Sequence, residues 1–456
     1  MTTSQQDHLT VAGGSPFAVR GIVEGFYGTP WTHEQRLDVI EFIAARGMNT
    51  FVYSPKDDPL VREHWRAEYT GDQLAALGQL AAQCAKHGVE FVYCISPGLS
   101  IEYSNSRDLA ALCSKLESLG PLGVRSFGLL LDDIPGELQH PADIAAFTDL
   151  ADAHSQIISH VFDELLRHDA RRKLIVCPTV YRGYGDEDYI VRLGRNVDPR
   201  VDLFWTGRAI CSATIDLADA ATITRSIARP VTYWDNYPVN DVAMGNELHI
   251  GPYRGRDRHL YRFCTGIIAN GMELFESSKI AFATIADYLR APEAYDPEAS
   301  WQVAIRDVLG NDEDAAAFAV FADNVRSSCL SDEDAPVVSA AIERFAFRCT
   351  IGQDAEAAAE LRLLADRLAE VAAYLSRGPV VNQQLIAEAR PWLEAFEIGA
   401  AALARIADAA ARGPLDDLDD RIRAELADDL RRLRATGRRV YGDSLEMTLS
   451  NYSSAA

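Results

Sequence analysis

Between Val19 and Leu289 short apolar runs alternate with segments of helical periodicity, roughly eight times over. No other feature restricts the fold as much. The runs are Val19–Tyr27, Met48–Ser54, Val89–Ser96, Ser126–Ile134, Leu174–Val180, Val201–Trp205, Pro230–Trp234 and a last short one near Glu273–Glu276. Most are continuously apolar, which fits parallel strands buried on both faces. Between them, His33–Arg46 places Leu37, Ile40, Ile43 and Ala44 on one helical face and stops at Gly47. Comparable helices are expected over Asp108–Leu119, Asp143–Arg167, Leu217–Ile227 and Leu260–Ile268, with Lys279–Leu289 closing the series. Such a repeat predicts a TIM-type (β/α)8 barrel. From Pro292 onward Ala, Leu, Glu, Asp and Arg dominate, with long helical periodicity over Val337–Arg377 and Gln383–Arg412 and a helix over Leu415–Thr436. The expected organisation is a disordered tail over residues 1–16, a barrel over 17–291 and a C-terminal α-helical bundle over 292–456.

Charge and cysteine usage narrow the classes of function. A formal net charge of -23 opposes non-specific binding to nucleic acid or to an anionic membrane. No apolar stretch is long enough to span a bilayer, and Met1–Gly14 lacks the pattern of a secretory signal, so a cytoplasmic location is expected. The eight cysteines are scattered without a Cys-x-x-Cys pair, and the ten histidines form no His-Glu-x-x-His motif. Neither a metal nor another cofactor is expected.

Chemistry concentrates where the strands end. Ser126–Ile134 reads SFGLLLDDI, so an apolar run gives way abruptly to Asp132 and Asp133. Charges at the end of a buried strand are costly unless compensated, and that end of a barrel is where active sites lie. One of the two could simply cap the next helix. Other predicted strand ends add Glu24–Tyr27, Lys56–Asp58, Tyr181, Trp205–Thr206 and Trp234–Asn236, with Asp241 beyond the seventh and Asn270 before the last. Singly, each has an ordinary reading: a surface ion pair for Lys56, a core ring for Trp234, a turn for Asn236. Together they set aromatic, amide, carboxylate and ammonium groups on one barrel face. That mixture suits a neutral polyhydroxylated ligand, and no Gly-rich phosphate cradle accompanies it.

The segments GIVEGFYGTPW (Gly21–Trp31), YSPKDD (Tyr53–Asp58), SPGL (Ser96–Leu99) and LDDI (Leu131–Ile134) resemble family 84 of the glycoside hydrolases. So do CPTVY (Cys177–Tyr181), WTG (Trp205–Gly207), WDN (Trp234–Asn236), GPYRG (Gly251–Gly255) and Asn270. That family contains β-N-acetylglucosaminidases, among them protein O-GlcNAcases and bacterial enzymes once called hyaluronidases. The resemblance spans about Arg20–Leu289. It implies an exo-acting retaining β-N-acetylglucosaminidase whose substrate acetamide, not an enzyme carboxylate, is the nucleophile. By position, Asp132 would hold the acetamido N–H, and Asp133 would protonate the leaving oxygen and later activate water. Tyr181 would bond the acetamido oxygen, Trp234 would wall the acetyl pocket, and Asn236 would support the acetamide and the carboxylates. Asp241 would bind outer sugar hydroxyls, while Asn270, Lys56 and the Gly25 carbonyl complete the grip.

The partner implied is a GlcNAc-bearing glycoconjugate. Two close carboxylates resist ionising together, which lets one donate a proton while the other stays anionic. Successive strand residues face opposite ways, so the strand must break for both to reach one sugar, and Pro135-Gly136 offers that break. Pro135–Leu138 and Arg182–Gly185 depart from the family pattern on the leaving-group side. Two other functions compete: a catalytically silent sugar-binding protein on the same barrel, and an endo-acting hyaluronan hydrolase.

Overall fold

The apolar runs pair in parallel and close on themselves in chain order. A computed structural model describes residues 14–415 and 418–453; most of the tail expected over residues 1–16 lies outside the described residues. The strands are β1 (Val19–Glu24), β2 (Thr50–Tyr53), β3 (Glu90–Ile95), β4 (Ser126–Leu130), β5 (Lys173–Cys177), β6 (Asp202–Trp205), β7 (Val231–Asp235) and β8 (Cys264–Asn270). β8 pairs with β1 from Val19↔Gly266 to Val23↔Asn270, which closes the barrel. Among the described residues no helix is long and apolar enough to cross a membrane.

The last strand corrects the sequence reading. Leu260–Ile268 is not a helix: a short 3-10 turn over Leu260–Arg262 leads into β8, and Asn270 ends that strand instead of preceding it. Glu273–Glu276 is not a strand but runs into the helix Phe275–Arg290. A run such as Gly266–Ala269 is apolar on both faces, so periodicity cannot separate strand from buried helix. The neighbour decides. A Cβ at Gly266 would lie 1.8 Å from the Val19 carbonyl oxygen, so glycine admits the close approach of β1. Two expected helices are also divided. Asp143–Arg167 becomes Pro141–Ala146 and Leu150–His168, the second capped by Asp149 accepting from the Asp152 amide at 3.0 Å. Val337–Arg377 becomes Pro336–Thr350 and Asp354–Arg377, interrupted at Gly352, whose φ of +74° no helix tolerates.

Two compact units share the chain. The first runs to Val239 and resumes over Arg254–Glu273 and Ile285–Tyr295; it contains all eight strands. The second takes Asn240–Tyr253, Leu274–Thr284 and the chain from Asp296 on. Its longest helices, Asp354–Arg377 and Gln383–Ala410, turn at Gly378-Pro379. Within this unit the Asn240–Tyr253 segment is held by indoles: Trp392 donates to the Asn246 carbonyl at 2.9 Å and Trp301 to the Ile250 carbonyl at 2.6 Å.

Candidate active site

Inside the barrel one apolar layer takes a side chain from every strand: Val23, Val52, Cys94 (with Val92), Leu130, Cys177, Phe204, Trp234 and Ile268. Strand side chains alternate, so the position two residues further on faces the same way. Those positions hold Gly25, Ser54, Ser96, Asp132, Thr179, Thr206, Asn236 and Asn270. The barrel interior thus changes from apolar to small and polar within one step, at the strands' carboxyl ends.

Asp132 belongs to this inward ring and is buried. Its Oδ2 accepts from Lys56 Nζ at 2.6 Å. Its Oδ1 is buried and has no hydrogen-bond donor, an unmet acceptor of the kind that proteins rarely leave without purpose. Asp133 should face outward, but β4 has ended at Leu130 and Asp133 takes φ +52°. That left-handed turn, and not Pro135-Gly136, swings its carboxylate round to the first. Tyr27 Oη donates to Asp133 Oδ2 at 2.8 Å, Tyr181 Oη to Oδ1 at 3.2 Å, and Lys56 Nζ lies 3.8 Å from Oδ2. The Lys56 side chain is almost wholly buried. Burial works against its charge, but the fields of Asp132 and Asp133 outweigh that and raise its pKa above the ordinary value, so the ammonium persists. Burial, and then the carboxylates of Asp133 and Asp132, likewise push the Tyr181 phenol up, so it stays a hydroxyl donor.

The opposite side is a chain of amides. The Gly25 N–H donates to Asn270 Oδ1 at 3.1 Å, Asn270 Nδ2 to Asn236 Oδ1 at 3.1 Å, and Trp234 Nε1 to the same oxygen at 2.8 Å. Asn236 Nδ2 donates to the Ile210 carbonyl at 2.9 Å. Trp234 stands edge-on to Phe204, with centroids 5.2 Å apart. A Cβ at Gly25 would come within 2.5 Å of Trp234 Cζ2, so only glycine fits beside the indole. Trp234, Asn236 and Asn270 are thus brought together with Gly25, and Lys56 and Tyr181 with the aspartates. Asp241 belongs to the second unit, where it precedes the 3-10 turn Val242–Met244 and its carbonyl accepts from the Met244 amide at 3.0 Å.

Beside Asp133 opens a cleft of about 420 Å3, lined by Ile134, Thr179, Val180, Tyr181, Arg182 and Ile210. That volume lies in the range of small-molecule sites. Two members of the site have no assigned role in the sequence reading. Tyr27 stands in a quoted motif, yet nothing local says that its hydroxyl reaches Asp133. Arg62, which donates to Tyr27 Oη at 2.9 Å, carries no motif signal at all. Among the described residues no three His, Cys, Asp or Glu side chains gather as a metal site.

The strand end bearing Tyr181 is buttressed from behind. Thr179 donates its hydroxyl to the Leu131 carbonyl at 2.7 Å and its amide to Tyr189 Oη at 3.2 Å. Tyr189 Oη in turn lies 2.7 Å from His154 Nδ1, while His154 Nε2 lies 2.8 Å from Tyr103 Oη. His154 is fully buried, and burial lowers its pKa to about 3 from the ordinary 6.5. The folded state therefore keeps this ring neutral while the unfolded chain takes a proton below pH 6.5. Stability present above that pH is lost as pH falls from 6.5 toward 3. The loss from this residue should reach about 2 kcal/mol at pH 5. Urea unfolding at pH 7 and pH 5 reads it; His154→Asn, although less stable at pH 7, should show a shallower fall, and an equal fall would locate the acid sensitivity elsewhere.

Comparison with known proteins gives one consistent answer. Residues 20–323 match the family model described as beta-N-acetylglucosaminidase. The protein O-GlcNAcases of Rattus norvegicus and Mus musculus are each 32% identical over 286 residues, 61% of this chain and 31% of theirs. The match thus spans about a third of the length of these curated relatives. A mutant of the Thermobaculum terrenum O-GlcNAc hydrolase superposes with a TM-score of 0.90 at 33% identity, covering 96% of this chain and 94% of that one. The structure of CpGH84B follows with a TM-score of 0.84 at 27% identity over 96% of this chain and 77% of its own.

Proposed function

On the premise that this chain belongs to the β-N-acetylglucosaminidase family and is a glycoside hydrolase, we propose that it removes terminal β-linked N-acetylglucosamine from a glycoconjugate by substrate-assisted catalysis. The observation that carries this reading is the asymmetry of the aspartates. Asp132 offers a buried oxygen with no donor, and Asp133 faces a cleft on adjustable phenolic hydroxyls. An acetamido N–H supplies the donor that Asp132 Oδ1 lacks. As the carboxylate accepts that hydrogen bond, electron density shifts through the amide toward its carbonyl oxygen, which becomes the nucleophile.

In the first step the acetamido oxygen closes on the anomeric carbon as the bond to the leaving oxygen breaks. Asp133 passes its proton to that oxygen. Tyr181 leaves Asp133 to donate to the acetamido oxygen, a shift that its long 3.2 Å bond makes inexpensive. The oxazolinium so formed bears positive charge at nitrogen, which the buried Asp132, still paired with Lys56, stabilises. In the second step Asp133 takes a proton from water as that water attacks the anomeric carbon, and the oxazoline ring opens to the retained sugar. Trp234 walls the acetyl group, and the Asn236–Asn270 pair keeps that wall and the Gly25 turn in place. The aglycones of this reading include glycosylated Ser or Thr of proteins.

Two assays test the assignment together. A chromogenic β-N-acetylglucosaminide should be turned over with release of N-acetylglucosamine, and hyaluronan should keep its chain length under the same conditions. Depolymerised hyaluronan with an untouched aryl glycoside would replace the exo-acting reading by the endo-acting one. Binding of the sugar without turnover of any β-N-acetylglucosaminide would remove the mechanism.

A further inference from the structure

Arg62 has no place in the chemistry above, yet two of its nitrogens are spent on the group that performs it. Nη1 donates to Tyr27 Oη at 2.9 Å, and Nη2 reaches the main-chain carbonyl of Asp133 at 3.4 Å. A guanidinium has no acceptor. The contact with Tyr27 therefore dictates the direction of the phenolic proton: the oxygen accepts from Arg62, and its single hydrogen is left for Asp133 Oδ2, 2.8 Å away. Without Arg62 the hydroxyl could rotate that hydrogen toward water. Donation into the phenol oxygen also polarises the O–H that Asp133 receives. The second contact acts on the backbone. Asp133 is a non-glycine residue at φ +52°, a conformation that residues with a side chain rarely adopt. Arg62 holds the carbonyl of that same residue.

The segment carrying Arg62 is itself fixed. Trp65 is fully buried and donates from Nε1 to Ser100 Oγ at 3.0 Å. The Leu60 amide donates to Asp58 Oδ1 at 2.9 Å, and the buried Lys115 ammonium donates to the carbonyls of Leu60 and Ala67. Arg62 thus projects from a loop tied down at both ends.

We propose that Arg62 is a positioning residue for Asp133, acting through Tyr27 and through the Asp133 carbonyl. The proposal rests on the assignment of Asp133 as the proton donor. Tyr181 is called to the acetamido oxygen during the reaction, so Tyr27 is the hydroxyl that stays with Asp133 while its proton moves. Its orientation then governs whether the acid faces the leaving oxygen.

Arg62→Gln, Arg62→Lys, Tyr27→Phe, the Arg62→Gln/Tyr27→Phe double variant and Asp133→Asn are compared on aryl β-N-acetylglucosaminides of graded leaving-group ability. Arg62→Gln should lower kcat about tenfold to a hundredfold on the poorest leaving groups, the scale of a misplaced catalytic group. On the most activated ones kcat/KM, which reports the first step alone, should fall no more than about threefold. Lysine keeps one donor and should restore part of the loss. The double variant should be no worse than Arg62→Gln alone, because both changes break one chain. Thermal melting separates these effects from unfolding. A loss in Arg62→Gln that is equal across the series, while Asp133→Asn depends steeply on leaving group, overturns the role of Arg62. Multiplying losses in the double variant also overturn it. A flat response in Asp133→Asn itself removes the acid assignment and the proposal with it.

Discussion

Asp133→Asn should lose about 10^2 to 10^4-fold in kcat/KM on glycosides with poor leaving groups, the usual span of general acid catalysis. On dinitrophenyl glycosides, whose leaving oxygen needs no proton, the first step should proceed nearly as before. The second step still wants a base, so the oxazoline should then accumulate and its hydrolysis limit kcat. Asparagine preserves the shape but keeps a single acceptor oxygen, so it can accept from Tyr27 or from Tyr181, which donate to different oxygens of Asp133, and not from both. The expected signature is a steep dependence of rate on leaving-group basicity in the variant against a shallow one in the parent. A uniform loss from the activated to the poor end would take Asp133 out of the acid role and leave it a structural anchor.

Asp132→Asn should cost about 10^2 to 10^3-fold in kcat, the scale of deleting one preorganised electrostatic contact. Here the loss should persist on activated leaving groups, because it concerns the charge that develops on the acetamide nitrogen and not the departing oxygen. Interactions made only in the transition state lower kcat more than they raise KM. The substitution has a second consequence. Lys56 is buried with Asp132 Oδ2 2.6 Å away and Asp133 3.8 Å away. A neutral amide leaves that ammonium with the farther partner alone, and breaking a buried pair from one side is destabilising. Melting should therefore be followed beside kinetics. The independent check lies in the substrate: mono-, di- and trifluorination of its N-acetyl methyl should slow the parent progressively, since each fluorine draws density from the attacking oxygen. Rates indifferent to fluorine, together with a sugar ester trapped on Asp132, would make the carboxylate the nucleophile and end the substrate-assisted reading.

Both predictions depend on features of unequal visibility in the chain. The expectation that Asp132 and Asp133 are functional follows from their place: two charges closing an apolar run at the end of a barrel where chemistry gathers. How two adjacent carboxylates come to lie side by side does not follow. Pro135-Gly136 is the device that the sequence suggests, but the left-handed turn lies at Asp133 itself, supported from Tyr27, Lys56 and Tyr181 beyond other strand ends and from Arg62 on the loop after β2. A backbone angle held by contacts from distant segments leaves no local trace. Lys56 illustrates the same division. Its motif marks it as a site residue, while its engagement with both carboxylates is a matter of distances set by β2 and β4.

What the sequence by itself determined is the barrel, most of its strands and the polar character of the carboxyl ends. Those follow from runs of side chains that bury both faces of a strand and from the residues that end them, and both are local properties. Where burial removes the periodic signal, the local reading fails: Cys264–Asn270 is a strand because β1 and β7 lie on either side to pair with it, and Gly266 lets β1 come close. The amide chain from Gly25 through Asn270 and Asn236 to Trp234, and the line from Arg62 through Tyr27 to Asp133, were likewise decided only by tertiary structure. A hydrogen bond needs its two atoms about 3 Å apart at a suitable angle. Only closure of the barrel brings residues as far apart in the chain as Gly25 and Asn270 to that distance.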